Sequence, residues 1–95
     1  NANHFYDPIL DWLEEYSKNP NEETILDLNF KYFNTSSSKL ILDLLLIVKK
    51  IQEGGNKVLV KWHHEENDDD MKESGEDYHD IIKISFEFID FLDED

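Results

Sequence analysis

The feature that most constrains this chain is a switch of hydrophobic period, from two to that of a helix and back again. Over residues 24–33, Leu26, Leu28, Phe30 and Tyr32 fall on one side and Asp27, Asn29 and Lys31 on the other, as in a strand with one wet face. The same alternation sets Val58, Val60 and Trp62 against Leu59, Lys61 and His63. It returns with Ile82, Ile84, Phe86 and Phe88 against Lys83, Ser85 and Glu87. Between the first two runs, residues 36–53 are rich in leucine and isoleucine and stop at Gly54, Gly55 and Asn56, types that tolerate the left-handed backbone of a helix end. Strand, long helix, strand is a crossover unit, which predicts two parallel strands joined right-handedly.

The flanking segments complete one layer of helices. Phe5, Ile9, Trp12, Leu13 and Tyr16 recur at helical spacing opposite Asp11, Glu14 and Glu15, so an amphipathic helix with those five residues inward is expected. Asn19 and Pro20 end it. Its start is open between Asp7 with Pro8, as N-cap and first helical position, and Asn1 or Asn3 capping a longer version. Residues 67–78 have a weaker period through Met71, Ser74, Gly75 and Tyr78 behind three aspartates, which suit the positive end of a helix dipole and predict a short helix. The expected architecture is α/β: a two-layer domain with a sheet of three or more strands and helices on one face. The other face carries Asp27, Lys31, Lys61, Lys83 and Glu87 and stays open. Ninety-five residues suffice for one such domain and are too few for two.

Charge narrows the partners. The formal net charge is -14, from 23 acidic and 9 basic residues, and every base is a lysine. Such a surface repels phosphate backbones and anionic lipid and lacks the arginines that clamp phosphate in a bidentate manner, which argues against nucleic acid and for protein partners. With no cysteine, disulfides, thiolate metal sites and cysteine nucleophiles are excluded. No apolar run approaches the length of a membrane span, so no membrane insertion is expected and the cytoplasm fits best.

Chemistry concentrates in the run Tyr32, Phe33, Asn34, Thr35, Ser36, Ser37, Ser38 and Lys39, between the first strand and the central helix. Asn34, Thr35 or Ser36 capping the helix, with the remaining serines filling its first turn, is the commoner fate of such residues. The alternative is a phosphorylation site, since the free N–H groups of a helix start tolerate an added dianion well. At about 100° per residue, Thr35, Lys39, Asp43, Leu46, Lys50 and Glu53 form one polar stripe, with Leu42 at its margin. Leu46 and Leu42 are either covered by another helix, simply exposed, or part of a partner-docking face formed by Leu42, Asp43, Leu46 and Lys50.

Other constellations are weaker. His63 and His64 point to opposite faces of a strand, and the run from Asp68 to Asp70 lacks the calcium-loop pattern, so no metal is expected. There is no glycine-flanked serine of the nucleophile-elbow kind and no phosphate-cradling loop. A non-enzymatic role without cofactors is expected: a phosphorylation-gated binding module ahead of a plain structural or assembly domain, with a small hydrolase a distant third reading.

The run from Phe5 to Leu13, the run from Tyr32 to Lys39, Gly55 to Val58 with Trp62, and Asp70, Met71, Gly75 and Glu76 together resemble the SiaC family of bacterial regulatory phosphoproteins. The likeness spans nearly the whole chain as a single domain, 1–95. It implies a fold similar to the STAS domains of anti-sigma-factor antagonists, and Thr35 as phosphoacceptor. It also implies three partners: a protein Ser/Thr kinase, a metal-dependent Ser/Thr phosphatase, and a diguanylate cyclase or other signalling effector bound by the unphosphorylated form. Family members usually carry β structure before the first helix, which this chain is expected to lack; the sheet then loses edge protection and the partner surfaces on it, or another copy of the chain covers the exposed edge.

Overall fold

A computed structural model of the chain describes residues 2–29 and 35–92, and side chains within 8–29 and 38–92. The elements run α1 (Ala2–Ser17), β1 (Glu23–Leu28), α2 (Thr35–Glu53), β2 (Lys57–Glu65), α3 (Asp69–Ile82) and β3 (Phe86–Phe91). The sheet order is β1-β2-β3 and both pairings are parallel. The crossovers through α2 and α3 step in the same direction across the sheet, and crossovers of one hand then place both helices on the same face. The expected two-layer α/β arrangement with helices on one face is the one observed.

Burial follows the period switch. From α2, Leu40, Ile41, Leu44, Leu45, Ile47, Val48 and Ile51 are buried against Leu28, Val58, Val60 and Trp62 of the sheet. Each such side chain contributes roughly 1.5–3 kcal/mol when removed from water, so this helix anchors the domain. It ends in a turn where Gly55 takes φ +101°, a backbone conformation that glycine adopts without a Cβ clash. The side chain of Asn56 then donates to the carbonyl of Asn21 at 2.9 Å, tying this turn to the start of β1.

Three expectations are corrected. The alternation from Ile82 to Phe88 does not begin a strand, because α3 runs on to Ile82 and β3 starts only at Phe86. Met71, Gly75 and Ile82 are buried with Tyr78 half-buried, a helical spacing that claims Ile82 before any strand can. The helix stops at Lys83, in the left-handed region at φ 63° and ψ 46°, whose N–H donates to the carbonyl of His79. Lys83 is therefore a helix cap rather than part of the open sheet face, and Lys31, also assigned to that face, lies outside the described residues.

The second correction concerns α1, which starts at Ala2 with Pro8 inside it, so the longer of the two alternatives holds. Among its described side chains Leu13 is the buried one, with Leu10 and Tyr16 partly buried, whereas Ile9 and Trp12 are exposed, Trp12 at 67%; the side chain of Phe5, also expected inward, lies outside those described. The helix lies along α2 rather than flat on the sheet, which narrows its buried stripe. Trp12 stacks on Tyr16 with ring centroids 5.7 Å apart, and the Tyr16 hydroxyl sits 3.0 Å from Oγ1 of Thr24 on β1.

Third, β1 was expected over residues 24–33; the structure gives Glu23–Leu28, and residues 30–34 lie outside the described residues.

On the open face Asp27, Lys61 and Glu87 stand side by side in register, with Ile25 beside Leu59. His63 and His64 point to opposite faces as expected: His64 is buried, while Nε2 of His63 approaches Oδ1 of Asp27 at 2.7 Å on the open face. That approach lacks hydrogen-bond alignment. With the imidazole protonated it is a charge contact worth about 1 kcal/mol or less. Among the described residues no group of three or more histidine, aspartate or glutamate side chains is placed to hold a metal ion, and no helix is long and apolar enough to cross a membrane.

Candidate functional site

The central helix begins at Thr35, so the hydroxyl-rich run forms its opening turn. Its first turn carries no acidic residue, and the N–H groups there have no intrahelical acceptor. An anion placed at this end meets the positive pole of the helix with no carboxylate of its own turn competing for it. Asn34 lies outside the described residues, as do the side chains of Thr35, Ser36 and Ser37. Ser38 is half-buried and Lys39 exposed.

Further along the helix, the stripe meets α1. Leu42 and Leu46 are 36% and 48% exposed, so among the described residues no other helix covers them fully. Asp43, Leu46, Ile47 and Lys50 form one wall of a shallow groove of about 340 Å³, and Leu10 and Glu14 of α1 form the other. The floor is aliphatic, the rim carries Glu14, Asp43 and Lys50, and both walls belong to helices fixed to the core through Leu13 and Ile47. An apolar floor with a charged rim is the composition that protein interfaces combine. Four residues named from sequence, Leu42, Asp43, Leu46 and Lys50, thus share one exposed face.

Three contributors were not legible in advance. Leu10 and Glu14 belong to a different helix, and only its packing against α2 brings them to the groove. Tyr78 was assigned to the helix period of α3, yet its hydroxyl donates to the carbonyl of Ser38 at 3.3 Å and so reaches the opening turn of α2.

Known proteins share this fold. The family model described as SiaC family regulatory phosphoprotein matches residues 1–91. An uncharacterised protein of Pseudomonas aeruginosa strain UCBPP-PA14 is 31% identical over 58 residues, which are 61% of this chain and 46% of that protein. The chain therefore spans just under half the length of that curated relative. Among solved structures, one chain in the crystal structure of the diguanylate cyclase SiaD with its activator SiaC from P. aeruginosa superposes with TM-score 0.86 at 25% identity, covering 96% of this chain and 75% of that one. The apo-SiaC crystal structure from the same organism gives 0.80 at 26% identity, covering 94% and 72%. A further structure of P. aeruginosa SiaC gives 0.77 at 27% identity, covering 98% and 73%. This chain, with its three parallel strands, leucine-rich central helix and hydroxyl-rich helix start, belongs to the SiaC family of regulatory phosphoproteins.

Proposed function

We propose that this protein is a phosphorylation-gated binding module: unphosphorylated at Thr35, it docks on a signalling effector of the diguanylate cyclase class, and phosphate on Thr35 prevents docking. A protein Ser/Thr kinase adds the phosphate and a metal-dependent Ser/Thr phosphatase removes it, in the cytoplasm. The protein itself catalyses nothing and uses no cofactor. The observation that carries the reading is the exposed leucine groove between α1 and α2, lying on the same helix that opens at Thr35. Support also comes from the likeness to a chain of the SiaC and SiaD complex.

The separation between switch and groove constrains the mechanism. Thr35 and Leu46 are eleven positions apart on one helix, about 16 Å along its axis. At physiological ionic strength the Debye length is about 8 Å, so the field of a phosphate is largely screened at Leu46. The modification therefore acts on a partner long enough to cover both places, through direct repulsion or obstruction at the helix start. Because the first turn tolerates the dianion, the module keeps its fold in both states.

Intact mass of the protein purified from its own host tests the switch. One phosphate on the wild type, absent from Thr35→Ala, is expected, with the phosphorylated form failing to retain the cyclase. A wild type that never carries phosphate overturns the switch and leaves a plain interaction domain.

A further inference from the structure

We infer that the Tyr78 hydroxyl is a latch on the opening turn of α2, and that it sets how readily a kinase reaches Thr35; this rests on the reading of Thr35 as phosphoacceptor. Tyr78 and Ser38 are 40 positions apart, and the hydroxyl donates to the Ser38 carbonyl at 3.3 Å. The donor is mounted on a rigid frame. Its ring lies 5.8 Å from that of Trp62, centroid to centroid, and Trp62 is fully buried, its indole N–H donating to the Met71 carbonyl at 2.9 Å. The start of that helix is held in turn by Asp68, whose Oδ1 accepts from the Met71 N–H at 3.0 Å.

The acceptor sits where α2 can open. Leu40 and Ile41 are buried in the core, so fraying from the N-terminal end stops before them. That leaves the turn from Thr35 to Ser38 outside the buried part of the helix, and Ser38 is where Tyr78 holds it. A kinase must bring the acceptor hydroxyl in line with the transferring phosphoryl group and against its catalytic base. A closed helical turn tied to α3 obstructs that approach, and an opened one permits it. Tyr78 is thus a positioning residue: it acts on modification through the backbone of Ser38 and leaves the groove at Leu46 untouched.

Tyr78→Phe tests this, because it keeps the ring against Trp62 and removes only the hydroxyl. A single hydrogen bond of this kind shifts an opening equilibrium by roughly three- to tenfold. The amides of residues 39–41, whose helical acceptors are the carbonyls of residues 35–37, are expected to exchange faster by that factor, with residues 45–51 unchanged. Phosphate should accumulate on Thr35 faster by a similar factor when the variant is incubated with ATP and extract of the source organism. Unchanged exchange at 39–41, acceleration spread evenly over the chain, or equal phosphorylation rates despite local opening each overturn the latch. If local exchange quickens but neither protein takes phosphate at Thr35, the tether stands and both the gate and the phosphoswitch fall. If both take phosphate equally with exchange unchanged, the phosphoswitch stands and the latch falls.

Discussion

A Cβ added to Gly75 would lie 2.5 Å from Nε1 of Trp62, 2.6 Å from Cδ1 and 2.7 Å from Cε2. The helix α3 passes so close to the indole that no side chain fits between them. The ring cannot step aside, since it is fully buried and its N–H is bonded to the Met71 carbonyl. Glycine inside a helix costs up to about 1 kcal/mol relative to alanine, so the close approach of α3 to β2 must recover more than that.

Gly75→Ala is accordingly expected to destabilise the domain despite better helix propensity. Overpacking a rigid ring costs about 1–3 kcal/mol and outweighs the propensity gain. A fall of several degrees in the thermal midpoint, about 4–8 °C per kcal/mol for a domain of this size, is the readout; a rise would show that α3 can shift away from Trp62.

Lys83→Gly should stabilise the protein. Lys83 is the sole described non-glycine residue with positive φ, it is exposed, and an L-residue in the left-handed region costs roughly 1–2 kcal/mol. A gain of about 1 kcal/mol in urea unfolding is expected with unchanged slope.

Asp68→Ala removes the side chain that accepts from the Met71 N–H. Loss of such a cap costs about 1 kcal/mol, and here the loss should be concentrated in α3, visible as faster amide exchange over residues 71–75 than over residues 44–51.

Leu46→Lys separates docking from folding. Leu46 is 48% exposed and lysine has a similar helix propensity, so stability should change by no more than about 0.5 kcal/mol. Affinity for the proposed effector should fall roughly tenfold or more, as for an apolar anchor in the centre of an interface. A large drop in melting temperature without a change in binding would show that the leucine serves the fold.

The central helix, the parallel strands on either side of it and the single layer of helices were legible because they follow from local spacing. Leu40, Leu44, Leu45 and Val48 repeat at helical intervals and Val58, Val60 and Trp62 at strand intervals, whatever lies elsewhere in the chain. Ile82 shows where such reading stops. It fits a strand with Ile84 and Phe86, and equally a helix with Met71, Gly75 and Tyr78; the hydrogen bond from Lys83 N–H to the His79 carbonyl decides for the helix.

By itself the sequence determined which residues avoid water and in what local shape, and it placed Thr35, Lys39, Leu42, Asp43, Leu46 and Lys50 along one helix. Only the tertiary structure decided that Leu10 and Glu14 close the groove beside Leu46, that Trp12 stays outside, and that Tyr78 grips the Ser38 carbonyl. Periodicity records that a residue is buried but not which distant element buries it. Contacts between residues 40 positions apart depend on how helices pack across the sheet, and no local pattern encodes that.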